Sequence, residues 1–257
     1  MTVMPAKLDR RGFLARLLAG TSAALLAGCD DVSAKPWLQN VLGKAEQLNR
    51  FVQRTLLPHQ ALAPEFAKAD ISPVFKANGS TNPLDADYRQ LVTENFANWR
   101  LVVDGLVDRP LALSLAELQA LPARTQITRH DCVEGWSAIA EWTGVPLAAL
   151  LERAGVQADA RYVLFHCADT MDDGASYYES VALDDAYHPQ TILAYAMNGQ
   201  PLPVAHGAPM RLRVERQLGY KMAKYVMRIE LARSFAHLGE GKGGYWEDRG
   251  YEWYAGI

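Results

Sequence analysis

Cysteine is scarce in this sequence. Three occur in 257 residues, with no Cys-x-x-Cys spacing and no histidine cluster beside them, which excludes a zinc site of ordinary spacing. No Cys-x-x-Cys-His appears either, so no haem is carried by that motif. A basic excess is also missing: the formal net charge is −3, which argues against nucleic acid as a partner and leaves any anion site to be local. After the first thirty residues no stretch stays apolar for the roughly 18 residues that a bilayer span needs. There is no internal repeat and no low-complexity bias; at 49% hydrophobic and 21% charged, the composition is that of one globular domain with ample core.

What is present begins with an address. Arg10-Arg11-Gly12-Phe13-Leu14 precedes an apolar run from Leu17 and then Leu26-Ala27-Gly28-Cys29. A charged start, a short apolar core and small residues make an export signal, and the arginine pair resembles a twin-arginine signal, the route for proteins folded around a cofactor. Leu26-Ala27-Gly28-Cys29 also resembles a lipoprotein cleavage box, with Cys29 lipidated and Asp30 favouring retention at the inner membrane. The expected division is a signal over 1–28, a helix and linker over 29–70, and the functional domain over 71–257.

In the body, apolar residues at Trp37, Leu38, Val41, Leu42, Ala45, Leu48, Phe51, Val52 and Leu56 line one face of a predicted helix that Pro58 ends. Residues 59–98 read as loop-rich, interrupted by Pro64, Pro73, Pro83 and Asn78-Gly79-Ser80. Leu101-Val102-Val103 runs into an Asp104-Gly105 turn, Ser114 and Glu117 form a capping box, and residues 147–154 make a helix closed by Gly155. Tyr162-Val163-Leu164-Phe165 and residues 192–197 read as strands, the latter leading into an Asn198-Gly199 hairpin; residues 210–214 and 225–231 read as later strands. Short strands with interspersed short helices and no steady alternation predict an α+β fold of mixed sheets. The aromatic-rich stretch 239–257 is expected to be an ordered tail packed by its rings.

With Cys29 assigned to the signal, Cys132 and Cys167 remain, and an exported chain can join such a pair as a disulfide. The setting of Cys132 favours chemistry. Arg129-His130-Asp131-Cys132-Val133-Glu134-Gly135-Trp136-Ser137 puts the thiol after a β-like run, among polar groups, ahead of a Gly-Trp turn. A thiolate is a soft, strongly donating ligand suited to a transition metal that changes oxidation state. Downstream, Arg211, Arg213, Arg216, Lys221 and Lys224 gather fixed positive charge around a Gly219-Tyr220 turn, a composition suited to an anionic cofactor.

The Cys132 segment, followed by Asn198-Gly199-Gln200-Pro201-Leu202-Pro203 and His206-Gly207-Ala208-Pro209-Met210-Arg211, resembles the sulfite-oxidase family of molybdenum enzymes over residues 75–231, nearest its periplasmic methionine-sulfoxide-reductase branch. The resemblance implies the sulfite-oxidase-type fold and a molybdenum–molybdopterin cofactor with one pterin per metal, Cys132 being the metal ligand. It implies cofactor contacts from Asn78, His206, Arg211, the backbone of Met222 and Lys224. Cys167 falls where that branch has a threonine at the cofactor, a departure that leaves a weaker hydrogen-bond donor.

Sulfite is a dianion, and the sulfite-oxidising branch presents arginines to it. Here Ala77 precedes Asn78, and Val133-Glu134-Gly135 follows Cys132, so a neutral oxo-substrate such as a sulfoxide, free or protein-bound, fits better. Glu134, Tyr177 and Tyr178 are candidate pocket residues, with Glu134 and Tyr178 given catalytic roles beside Cys132. The resemblance also implies a haem-containing electron-transfer partner, which a lipid on Cys29 would keep close in the periplasm. The alternatives are sulfite dehydrogenation and a non-catalytic envelope lipoprotein with a Cys132–Cys167 disulfide.

Overall fold

The computed structural model describes Lys35, Trp37, Lys44, residues 48–52 and residues 61–257. The chain divides into two compact units, Met1–Phe51 and Val52–Ile257. Trp37, Lys44 and residues 48–52 are helical, as their spacing predicts; the other residues of the predicted helix, the expected signal over 1–28 and Cys29 lie outside the described residues. No helix among the described residues is long and apolar enough to cross a membrane.

Two sheets build the second unit, the first mixed and the second antiparallel throughout. The first runs β2 (Leu111–Ser114), β1 (Arg100–Gly105), β10 (Val226–Ala232), β5 (Tyr162–Thr170), β6 (Ser176–Ala182); β1 and β10 are parallel and the other neighbours antiparallel. The second runs β3 (Arg124–Asp131), β4 (Ser137–Pro146), β7 (Ile192–Met197), β8 (Gln200–Pro201), with β9 (Arg211–Arg213) also paired to β7. Helix α1 (Ala86–Thr93) precedes the first strand, and α2 (Leu115–Gln119), α3 (Leu147–Ala154) and α4 (Leu183–Ala186) connect the two sheets. This is the α+β arrangement that the pattern predicts.

Local chemistry sets the element ends. Ser114 accepts from the Glu117 amide at 3.2 Å while Glu117 returns a carboxylate to the Ser114 amide at 2.8 Å, so two otherwise unmatched donors are satisfied at the start of α2. Gly155 closes α3 at φ 70°, donating its amide to Leu151 O at 3.0 Å. Asn198 and Gly199 take φ of 51° and 73°, the pair of left-handed residues that a two-residue hairpin requires between β7 and β8.

The main core fills the space between the sheets: Leu101, Val103, Phe165 and Ile229 from the first meet Val145, Leu193 and Leu212 from the second, with Leu150 and Leu151 of α3. Each fully buried leucine contributes about 2 kcal/mol of transfer free energy. The second sheet packs on its other face too, where Ala140, Trp142, Ile192 and Ala194 lie under Phe75. That second layer brings the 75–84 segment over the end of β3.

Five elements have no counterpart in the sequence reading, the short β2 and α4 among them, and three are explained by their chemistry. Helix α1 stands inside the stretch read as loop, because Pro83 precedes the helix and does not break it, and Asp85 caps it by accepting from the Tyr88 amide at 2.8 Å. Strand β4 was hidden by Ala138 and Ala140, small residues that carry the alternation weakly. Strand β6 is buried on both faces yet holds Glu179 and Ser180, so no apolar run marks it.

Candidate active site

Cys132 sits in the tight turn between β3 and β4. Its amide donates to Trp136 O at 3.0 Å, its carbonyl accepts from the Gly135 amide at 3.0 Å, and Gly135 supplies the positive φ of 82°. Below the turn, Asp131 accepts from the Ser137 hydroxyl at 2.5 Å, clamping the strand ends together. The thiol is thus held on paired strands, with 8% of the residue exposed. Asn78 Nδ2 approaches Sγ at 3.4 Å. Both Cys132 and Cys167 are free thiols, so the disulfide alternative is not what the chain forms.

The thiol opens into a cleft of about 640 Å³, within the range of small-molecule and cofactor pockets. One end is cationic. Lys224 donates to Asn78 O at 2.7 Å, to Ser80 O and to Ala205 O at 3.4 Å, tying down the segment that carries Asn78. Burial, with Arg211 beside it, pulls the Lys224 ammonium down to a pKa of about 7. Arg211 donates to His206 O at 3.1 Å and to Met222 O at 3.5 Å and lies over the Trp142 ring at 4.9 Å. Burial and the neighbouring Arg213 bring the Arg211 guanidinium down to about 9. Gly207, at φ 108°, lets these two side chains pack close: a Cβ there would meet Lys224 Cβ at 2.9 Å and Arg211 Cβ at 3.2 Å.

Two buried polar atoms of cleft-lining residues have no protein partner. Arg211 Nε is an unmatched donor and Asp169 Oδ1 an unmatched acceptor. Asp169 is 3% exposed, and burial, opposed by Lys224, lifts its carboxyl to about 6. Each unmatched buried group costs about 1–3 kcal/mol unless a ligand completes it. The cleft is built for a molecule offering negative charge together with hydrogen-bond donors.

Residues 89–237, more than half of the chain, match the family described as oxidoreductase molybdopterin binding domain. The chain belongs to that family. Among its relatives is a protein of Azospira oryzae assigned as protein-methionine-sulfoxide reductase subunit YedZ1, 40% identical over 250 residues, covering 96% of this chain and 87% of that protein. The catalytic subunit MsrP, a protein-methionine-sulfoxide reductase, of Xanthomonas campestris pv. campestris is 33% identical over 239 residues, covering 86% of this chain and 69% of its own. The sulfane dehydrogenase SoxCD of Paracoccus pantotrophus aligns with a TM-score of 0.49 at 26% identity, over 54% of this chain and 39% of that one.

The chain is therefore a molybdopterin-dependent oxidoreductase, and the cleft fits the family's cofactor. Molybdopterin pairs a phosphate with a ring rich in donors and acceptors, matching the unpartnered Arg211 Nε and Asp169 Oδ1 and the two cations whose charge is short of an anion. Molybdopterin supplies, when bound, a molybdenum centre for two-electron oxygen-atom transfer.

The structure brings together most of the residues read from sequence for this oxidoreductase site. Asn78, Cys132, Glu134, Tyr177, Arg211, Met222 and Lys224 all line the cleft. Tyr178 does not. Successive strand residues face opposite sides: Tyr177 reaches Tyr220 O at 2.8 Å and lines both the cleft and a second cavity of about 490 Å³, whereas Tyr178 donates to Asp248 at 2.7 Å and lines the second cavity alone. Tyr178 is thus placed outside the cleft that holds Cys132, away from where a catalytic role was expected. Cys167 lines that second cavity too, and burial pushes its thiol up. The register shift between His166 and Thr170 explains the exchange: past it, Asp169 lines the cleft where Cys167 was expected. His206 stands behind the wall, its ring 5.6 Å from Phe75 and its carbonyl holding Arg211. Arg213 and Lys221 are committed elsewhere, Arg213 to Glu215 at 2.6 Å and Lys221 to Glu179 and Glu247 at 2.5 Å each.

Sequence reasoning missed Asp169, the 79–82 backbone and two rings of the C-terminal tail. The tail is ordered as expected, but it also forms a wall: Trp246 and Tyr251 line the cleft opposite no recognisable motif. Arg249 pairs with Asp173, and Trp253 Nε1 donates to Ser180 Oγ at 2.9 Å, holding the tail to the first sheet.

Proposed function

We propose that this oxidoreductase reduces a sulfoxide outside the cytoplasm, taking electrons from a haem-containing membrane or periplasmic partner. The observation that carries the substrate class is the neutralised surroundings of the thiol. Glu134 lines the cleft beside Cys132 and holds Lys76 at 2.7 Å, and Arg129 is held by Asp131 at 2.9 Å, so the cations flanking the thiol already have carboxylate partners. With Arg211 and Lys224 given to the cofactor, a dianion such as sulfite would meet beside the thiol a carboxylate and cations that already have carboxylate partners, whereas a neutral sulfoxide is not repelled. The names of the relatives, protein-methionine-sulfoxide reductases, support the same reading.

In this proposal Cys132 ligates the metal through its thiolate, and Asn78, Arg211, Lys224 and the backbone of Met222 hold the pterin and its phosphate, with His206 supporting Arg211 from behind. Glu134, hydrogen-bonded to Lys76 and Trp136, is the polar group at the substrate's side of the thiol. Residues 1–28 act as a twin-arginine signal, Cys29 is lipidated and keeps the protein at the inner membrane of the periplasm, 29–70 is the tether and 71–257 the catalytic domain. Mass spectrometry of the mature N-terminus checks the anchor: cleavage elsewhere, or an unmodified Cys29, removes it.

Turnover with a reduced dye against sulfoxides and N-oxides, and with sulfite and an oxidant, tests the activity. About one molybdenum per chain and faster reduction of a sulfoxide than oxidation of sulfite are expected. Sulfite oxidation faster than every reduction would reverse the assignment.

Lys224 gives a pH prediction. In the cofactor-free chain its pKa is about 7, below the ordinary 10.5, so above pH 7 it is neutral. Binding a phosphate favours the charged form, so a proton is taken up on binding and affinity falls as pH rises from 7 towards 10.5. Loading of purified apo-protein with cofactor, followed by calorimetry in buffers of different ionisation enthalpy, is expected to show proton uptake in that window. Loading independent of pH would remove Lys224 from the phosphate.

A further inference from the structure

The cleft has two unlike ends. Arg211, Lys224 and Asp169 supply charge at one, and an aromatic surface forms another part of the lining. Trp246 and Tyr251 stack there with ring centroids 5.3 Å apart at 29°, and Tyr220 meets Tyr251 edge-on at 5.1 Å and 87°. Such an offset stack with an edge contact is a favoured ring geometry, so the surface is preorganised. Trp246 is half-buried and Tyr251 is 39% exposed, which leaves ring area uncovered in a cleft shared with Cys132.

The segment bearing these rings is fixed from behind. Glu247 meets Lys221 at 2.5 Å, and Asp248 accepts from Tyr178 at 2.7 Å and from the Glu240 amide at 3.0 Å. Trp246 is followed directly in sequence by Glu247 and Asp248, so its position is set by buried anchors. The family match ends at residue 237, so these rings lie outside the matched segment.

We propose that Trp246 and Tyr251 are specificity-determining residues: they form a shelf that receives the apolar arm of the sulfoxide and so select sulfoxides with an alkyl or aryl substituent. This rests on the sulfoxide-reductase reading above. Physically, an apolar arm laid on the rings is removed from water, and sulfur next to an aromatic ring gains further contact energy. Aromatic side chains also lose little rotamer freedom when they bind, which makes a rigid shelf efficient.

The test is steady-state kinetics of the molybdenum-loaded enzyme with methyl phenyl sulfoxide and with dimethyl sulfoxide, for the wild type, Trp246→Ala, Tyr251→Ala and Trp246→Phe. For the phenyl substrate the alanine variants are expected to raise KM about tenfold, equivalent to ~1.4 kcal/mol, at unchanged kcat and wild-type molybdenum content. Dimethyl sulfoxide, with only methyl groups to place, should change by about threefold or less. Trp246→Phe should recover most of the phenyl preference. Should Trp246→Ala not fold, Tyr251→Ala, at an exposed position, decides alone. Unchanged KM for the phenyl substrate at full molybdenum content, or an equal loss of kcat on both substrates, overturns the shelf. A wild type that reduces no sulfoxide removes the functional reading and the shelf with it, whereas an active wild type with indifferent variants removes only the shelf.

Discussion

Replacing Cys132 with serine is expected to leave the fold intact and to lower turnover by about a thousandfold, ~4 kcal/mol of transition-state stabilisation. The exchange is nearly isosteric, and the turn does not depend on the thiol: the bonds that close it are the Trp136 and Gly135 backbone contacts and the Asp131–Ser137 clamp. A hydroxyl is a harder and far less acidic ligand than a thiol, so it does not replace thiolate donation to a redox-active metal. The pterin contacts proposed for Arg211 and Lys224 lie apart from the substitution, so cofactor should still be retained. The decisive measurements are molybdenum content, the electronic spectrum of the metal centre and turnover, taken on one preparation. Near-normal turnover with an unchanged spectrum would mean that the thiol is not a ligand.

The second large effect is expected from Lys221→Met. Lys221, Glu179 and Glu247 are each no more than 1% exposed, and the ammonium sits 2.5 Å from both carboxylates. Removing it leaves two carboxyl groups facing one another in the interior, a loss of about 3–5 kcal/mol. The pH dependence follows from the same geometry. Burial, then Glu247, already raises the Glu179 carboxyl well above its ordinary range, and Lys221 is what opposes them. Without the lysine, protonation of Glu179 is favoured further in the folded state. A carboxyl whose folded pKa lies above its unfolded value stabilises at low pH and loses that contribution as pH rises through the folded pKa. The deficit of the variant is therefore expected to be smaller near pH 5 than near pH 8. Urea denaturation at the two pH values checks this, and limited proteolysis checks whether 239–257 is released. A variant as stable as the wild type at pH 8 would show that the triad does not hold the tail.

The polarity pattern revealed those elements that close their own ends. The capping box of α2, the Gly155 stop of α3 and the Asn198-Gly199 hairpin are local chemistry, satisfied within a few residues, and each was readable from sequence. Strands β4 and β6 were not readable, since their burial is decided by partners far along the chain: β4 is covered on one edge by β7, and β6 by the tail. At the site, motif residues such as Cys132 and Arg211 carried their own signal, whereas Asp169 depends on a register irregularity in β5 and Trp246 on a fold-back of the C-terminal segment. Neither has a spacing rule. Lys221 and Arg213 read as free cations because the carboxylates that bind them are named only by the tertiary structure, although Glu215 lies just two residues from Arg213.

The place of β10 in the first sheet has a bearing on biosynthesis. It is the middle strand, with Val102 of β1 facing Arg228 on one side and Phe165 of β5 facing Ile229 on the other. Until residue 232 has emerged from the ribosome, β2–β1 and β5–β6 are two separate hairpins with no shared edge. Pairings this distant in sequence form slowly, because the intervening loop must first be closed. Lys224 lies two residues before this strand and Met222 four, so the cationic end of the cleft is assembled in the same late event that joins the hairpins. A growing chain thus offers the cofactor no finished site, and loading belongs to the completed polypeptide.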